Sequence, residues 1–392
     1  MKKLSRLLLP ALALSCASAA SAADEPLRIG VIATYSGPYA DYGRQFDAGM
    51  DLYLKQHGGK LGGRPVELVR KDTGGPAPET AKRLAQELIV RNKVQLLAGL
   101  DFSPNAYAVA SVATQAKIPT VVMNASSSGI TASSPYVSRV SFTVEQVSAP
   151  MARWAARNKI KEVYTVTADY ASGADAESAF TKAFTAEGGK IVGSVRTPMS
   201  NPDFSAYVQR IKDAKPQAVF IFFPSGVMPP AFLKTWKERG MDDAGIKLIA
   251  TGEATDDSYL AATGDVALGL TTSHHYSYAH KSPLNQKFIS DFYAAYGKKM
   301  RPSYFAVAAY DGMAAFDLAL KKTGGDPDGA KVMAAMSGLQ FESPRGPIEI
   351  DPKTRDIVQT VYIRRTEKVN GELVNVEFDS FERVADPGKE AK

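Results

Sequence analysis

Apolar residues come in short runs separated by amphipathic stretches over most of the chain. Residues 28–34 (RIGVIAT) form a mostly apolar run of strand length. Residues 43–57 carry Phe46, Met50, Leu52 and Leu54 at mixed helical spacing and stop at Gly58-Gly59, a favoured helix end. The alternation continues as strand 66–71, helix 78–92, strand 94–99, helix 104–117 and strand 120–124. Strands separated by helices in this way predict a parallel sheet covered on both faces. A second series follows: strand 163–168, helix 174–187, strand 190–196, helix 204–213, strand 218–223 (AVFIFF), helix 229–239 and strand 247–251. Residues 284–296, 304–321 and 329–336 read as further helices. Residues 357–364 and 374–381 lie on either side of Asn370-Gly371, a strong turn signal, and read as an antiparallel hairpin. The polar tail from Asp386 reads as frayed.

The first 23 residues have a different pattern. Lys2, Lys3 and Arg6 precede an apolar stretch at residues 7–14, and small residues end in Ala20-Ser21-Ala22. This is the three-part layout of a secretory signal peptide, with cleavage expected near Ala22 or Ala23. The apolar stretch is too short to span a bilayer, and no later run approaches the ~18–20 residues needed. The single cysteine, Cys16, lies inside this segment, so the mature chain would contain no disulfide and no thiol. The expectation is a soluble exported protein, periplasmic in a Gram-negative cell.

With 392 residues, the chain is too long for one core, which agrees with two α/β series. The formal net charge is +6, and removing the three cations of the leader leaves +3. That balance, with no basic run, argues against a nucleic-acid partner. There is no G-x-G-x-x-G, no phosphate loop, no nucleophile elbow and no H-E-x-x-H. A nucleotide enzyme is therefore disfavoured, and so is an α/β hydrolase. His274, His275 and His280 cluster, but without cysteine support they read as structural, and no metal or cofactor is expected.

Ligands of open α/β sheets sit outside the carboxyl ends of the strands. In the first series those ends carry Tyr42, then Phe102-Ser103-Pro104, then Asn124-Ala125-Ser126-Ser127-Ser128. Ser103 followed by Pro104 reads as a helix N-cap with proline in the first turn, an end suited to an anion. The serines of the neighbouring strand end would add hydroxyls, and Tyr42 and Phe102 would wall an apolar pocket. In the second series the ends carry Tyr170, Phe222-Phe223 and Glu253, facing the first set across a cleft. Phe222 and Phe223 alternate along a strand, so one of them belongs to the core.

In order and over the whole mature length, the chain resembles the leucine/isoleucine/valine-type solute-binding proteins of bacterial ABC importers. The marks are Ser36-Gly37-Pro38 with Gly43, the stretch Gly58-Gly59-Lys60-Leu61-Gly62-Gly63-Arg64, and Asp72. Further along come residues 81–94 (AKRLAQELIVRNKV) leading into Ala98-Gly99, Ile118-Pro119, Asp169-Tyr170-Ala171-Ser172-Gly173, and Ala308-Ala309-Tyr310-Asp311. The resemblance implies a type I periplasmic binding protein: two doubly wound, three-layer α/β lobes joined by a three-crossing hinge and closing on a ligand. Lobe 1 would comprise 24–142 with 278–347, and lobe 2 would comprise 143–277 with 348–392. Ser103 and Ser126, with backbone near Asn124 and Ala125, would take the ligand carboxylate. Tyr42 and Phe102 would line its pocket, Tyr170 and Phe223 would cover it, and Phe305 would add to the wall.

Glu253 stands where amino-acid binders in this family place an ammonium-pairing carboxylate. The stretches LAGLDFSPN and VVMNASSSGIT look closer to a branch that binds aromatic acids, where a protonated Glu253 would meet a ring substituent instead. Two ligand classes therefore stay open: an aromatic acid, and a branched-chain or aromatic amino acid. The implied role is a monomeric, non-enzymatic binding component that captures a small apolar carboxylate and delivers it to an ABC permease in the inner membrane. A ligand sensor feeding a membrane receptor would use the same cleft.

Overall fold

A computed structural model describes residues 25–200 and 203–389. The predicted signal segment, residues 1–23, lies outside them. The first series forms β1 (Leu27–Ala33), α1 (Ala40–Gln56), β2 (Lys60–Leu61), β3 (Arg64–Asp72), α2 (Pro78–Val90), β4 (Leu96–Gly99), α3 (Ser103–Ala116), β5 (Thr120–Val122) and β6 (Val137–Arg139). These strands make a six-stranded sheet in the order β2-β3-β1-β4-β5-β6. Only the short β2–β3 hairpin is antiparallel.

The second series opens with α4 (Val144–Arg157), which periodicity alone did not predict. Its start is written in a capping box: the Thr143 hydroxyl accepts from the Gln146 amide, and the Gln146 side chain accepts from the Thr143 amide. Pro150 inside the helix obscured the pattern. Then follow β7 (Glu162–Ala168), α5 (Ala171–Ala186), β8 (Lys190–Thr197), α6 (Ser205–Ala214), β9 (Ala218–Phe222), α7 (Met228–Glu238), β10 (Lys247–Thr251), α8 (Leu260–Thr263) and β11 (Thr271–His274). After α9 (Pro283–Tyr296), α10 (Tyr304–Lys322) and α11 (Gly329–Met336) come β12 (Gln340–Ser343), β13 (Gly346–Ile350), β14 (Ile357–Val369) and β15 (Glu372–Val384).

The second sheet runs β12-β13-β14-β11-β10-β9-β7-β8, with β15 added on β14. Strands β7 to β11 are parallel, whereas β14 meets β11 antiparallel. The expected hairpin is present and longer than its apolar alternation suggested, with thirteen-residue strands on each side. The hairpin β12–β13 also pairs into this sheet through β14. The expected lobe boundary at Pro347 therefore falls inside a hairpin that faces both ways. Its Arg345, fully buried, donates to Ser141 O at 2.9 Å and pairs with Asp311 at 3.0 Å, groups that belong with the first sheet.

Helices α9 and α10 return to cover the first sheet beside α1. The close approach of α1 to α10 requires Gly49, because a Cβ there would lie 2.0 Å from the Ala306 carbonyl oxygen. The fold is thus two α/β lobes whose strand carboxyl ends face one another.

Candidate functional site

The facing strand ends enclose a small, tightly closed cavity lined from both lobes. On the first-lobe side its shape begins with backbone strain. Gly99 and the non-glycine Leu100 both adopt the left-handed region, with φ 98° and 63°. That turn delivers Asp101, Phe102 and Ser103 to the cavity wall. Helix α3 then begins with Phe102, not Ser103, at its N-cap and no side-chain cap. The capping role expected of Ser103 is thus not the one its hydroxyl performs. Ser103 sits one residue into the helix, where its Oγ accepts from the Ser127 amide at 3.1 Å and meets Ser172 Oγ at 2.8 Å. Ser172 lies in the first turn of α5, another helix whose N-terminus has no side-chain cap. Two positive helix ends and two hydroxyls therefore converge from opposite lobes, an arrangement that suits a carboxylate.

Seven of the ten residues expected from the sequence line the cavity: Tyr42, Phe102, Ser103, Asn124, Ser126, Tyr170 and Glu253. Three do not. Phe223 points into the second-lobe core, with its ring 5.2 Å from Phe204 and 5.3 Å from Phe232. Its neighbour Phe222 lines the cavity instead and stacks on Tyr170 at 6.0 Å. Phe305 lies outside the lining, stacked on Tyr42 at 4.1 Å, and so supports the wall from behind. Ala125 has no free backbone group for a ligand: its amide donates to Leu100 O at 2.9 Å, and its carbonyl accepts from Arg139 at 3.0 Å.

Asp101, Phe142, Ser172, Pro224, Ser225 and Tyr304 were not anticipated as lining residues. Ser172 had a usable signal, since it follows a strand end at a helix start just as Ser103 does. Tyr304 had none, because α10 reaches the cavity only through its packing on α1. Ser225 links the lobes: Tyr42 donates to its carbonyl at 2.7 Å, and its Oγ meets Tyr304 Oη at 2.8 Å. Ser127 adds a further bond across the cleft, to Asp175. These bonds hold the lobes closed.

Burial sets the ionisation of the site. It pushes the Glu253 carboxyl up to about 7 and the Asp101 carboxyl up to about 6. Asp101 Oδ2 accepts from the Thr34 amide at 2.7 Å, while its Oδ1 and Asn124 Oδ1 have no partner. His274 and His275 are fully buried, and desolvation holds both well below the ordinary imidazole range. Among the described residues, no group of His, Cys, Asp and Glu side chains is arranged to hold a metal ion.

A two-lobed α/β molecule that closes on a small, anion-compatible cavity is a solute-binding protein in form. The profile of the family described as periplasmic binding protein matches residues 26–371, and the chain belongs to that family. It is 43% identical over 393 residues to the Leu/Ile/Val-binding protein homolog 6 of Brucella melitensis, with both chains covered completely. Among solved structures, it is 49% identical to a solute-binding protein of an ABC transporter from Rhodopseudomonas palustris BisB5 in complex with 3,4-dihydroxybenzoic acid. That superposition has a TM-score of 0.89 and covers 93% of this chain and 99% of the other. A second R. palustris solute-binding protein, in complex with 4-hydroxybenzoate, is 42% identical with a TM-score of 0.91 at the same coverage.

Proposed function

We propose that this protein is the solute-binding component of an ABC importer for a small aromatic carboxylate of the hydroxybenzoate class. The observation that carries the reading is the cavity itself. Its walls are the rings of Tyr42, Phe102, Phe142, Tyr170, Phe222 and Tyr304, and its serine hydroxyls and two uncapped helix ends gather at one place. A flat ring bearing one carboxylate matches that combination of apolar walls and a single anion-compatible corner. The relatives bound to 4-hydroxybenzoate and 3,4-dihydroxybenzoic acid support the same class. Glu253 is compatible with this class, because burial pushes its carboxyl up to about 7 and a protonated carboxyl can meet a ring hydroxyl.

Under this reading Ser103, Ser126 and Ser172 hold the carboxylate, while Tyr42, Phe102, Tyr170 and Phe222 pack on the ring. The chain is exported, cut near Ala22 or Ala23, and acts as a monomer that hands its ligand to an inner-membrane permease without chemical change. Lobe 1 is 24–142 with 278 onward as far as the hairpin β12–β13 that joins the second sheet, lobe 2 is 143–277 with the chain from that hairpin on, and closure bends the crossings between them. Calorimetry with benzoate, 4-hydroxybenzoate, leucine and phenylalanine tests the class. Saturable binding of the aromatic acids with none of the amino acids is expected, and the reverse order would overturn it.

A further inference from the structure

Parallel pairing of β10 with β11 aligns Thr251 with Ser273, so Gly252 and His274 follow side by side. Glu253, one residue further on, lies on the cavity wall, and His274, the last residue of β11, lies behind it. Gly252 makes the approach possible, because a Cβ there would lie 2.4 Å from His274 Cβ and 2.3 Å from Arg364 Nη2. Glu253 Oε2 lies 3.8 Å from His274 Nε2. Neither that oxygen nor either ring nitrogen of His274 has a hydrogen-bond partner, although both side chains are buried. The rings of Tyr304 at 4.5 Å, Phe142 at 5.0 Å and His275 at 4.3 Å surround the imidazole, and the buried guanidinium groups of Arg364 and Arg345 lie near without bonding its nitrogens. A buried imidazole with two unpaired nitrogens is costly, and the Glu253 carboxyl is the polar group that faces it across the cavity wall.

We infer that His274 is a specificity-determining residue of the cavity: it pairs with Glu253 and fixes that carboxyl as the group that reads a hydroxyl on the ligand's ring. The inference rests on the aromatic-carboxylate reading above. A small rotation from the present 3.8 Å lets the protonated carboxyl donate to the neutral imidazole, and its other oxygen then accepts from the ring hydroxyl. A ligand without that hydroxyl leaves the buried carboxyl under-bonded and is disfavoured for that reason. His274 does not touch the ligand; it acts through Glu253.

The test is the ratio of affinities for 4-hydroxybenzoate and 4-fluorobenzoate, because fluorine occupies the same position but cannot donate. Calorimetry on the wild-type protein should give a preference for the hydroxyl of about tenfold or more. His274→Phe, which keeps a ring but no nitrogen, should lose most of that preference, and Glu253→Met should lose it too. His274→Gln, which restores a polar group, should recover most of it. A full tenfold preference in folded His274→Phe would overturn the role of His274. If His274→Phe does not fold, a folded His274→Leu variant that keeps the full tenfold preference would overturn the inference equally. Wild-type protein that binds both ligands alike also overturns it. Wild-type protein that binds neither instead overturns the proposed function beneath it.

Discussion

Ser103 shows how a residue can be in the expected place for an unexpected reason. The Ser-Pro pair marks the start of α3, yet the Ser103 hydroxyl is spent on the Ser127 amide and on Ser172 of the other lobe. Removing it costs no helix cap, so the fold should survive Ser103→Ala. Ligand affinity should fall by about 1–3 kcal/mol, since a carboxylate loses a hydrogen bond. Ser126→Ala and Ser172→Ala should behave alike. Calorimetry gives the affinity and a thermal melt the fold; wild-type affinity in all three would mean the carboxylate lies elsewhere.

Glu253 adds a pH dependence with a definite sign. Its folded-state pKa is raised to about 7 from an ordinary 4.5, so the folded protein resists ionisation that the unfolded chain accepts. Its contribution to stability is therefore lost as pH rises from about 4.5 to about 7. For the same reason, affinity for an aromatic carboxylate should fall as pH rises through 7, when Glu253 becomes a second negative charge in the cavity. Asp256 at about 7 and Asp101 at about 6 titrate nearby, while Arg364 opposes the ionised charges and Tyr170, Tyr304 and His274 stay neutral. Comparison with Glu253→Gln isolates the residue: its affinity profile should be flatter, with aromatic-acid binding near or above the wild-type level at pH 8.

At the scale of elements, the lobes are assembled by contacts that leave no room for a side chain. Gly49 lets α1 lie directly against α10, and α10 brings Tyr304 to the cavity. Gly49→Ala should cost about 1–3 kcal/mol, because the added methyl meets backbone and the neighbour cannot rotate away. Urea unfolding measures the loss, and an unchanged midpoint would mean that the two helices are free to separate. Beneath the Asn124–Ser128 turn, fully buried Arg139 donates to Ala125 O, Ser127 O and Phe142 O and pairs with Asp356 at 2.9 Å. That one guanidinium sets the shape of a loop that the sequence presents only as a run of small polar residues.

At the scale of the molecule, closure is written in bonds between lobes: Ser103 to Ser172, Ser127 to Asp175, and Tyr42 to Ser225. The chain's last described segment adds a clasp on the hinge side. Asp386 is buried and bonded to Ser128, to Thr143 at 3.0 Å and to the Gly388 amide at 2.9 Å, and Lys389 reaches Asp356 and Thr131. The tail expected to fray is therefore held down at least as far as Lys389. Asp386→Ala should leave the buried Ser128 hydroxyl unpaired and take the acceptor from Thr143, and destabilise the protein by about 1–3 kcal/mol, read as a lower melting temperature. A melt identical to the wild type would mean the clasp carries no weight.

The sequence by itself determined the two α/β series, the hairpin around Asn370-Gly371 and the loops at which the lobes meet. Periodicity, turn residues and strand ends are local properties, and they survive in one dimension. What remained hidden depends on neighbours distant in sequence. Phe222 and Phe223 alternate identically on paper, and only the packing of Phe204 and Phe232 against one face decides which of them lines the cavity. Helix α4 was masked by Pro150, and the hairpin β12–β13 by the fact that its partner strand, β14, begins only at Ile357. His274 and His275 read as structural because nothing along the chain says that β11 runs beside β10. Register places His274 3.8 Å from Glu253, and burial removes the water that would otherwise satisfy both.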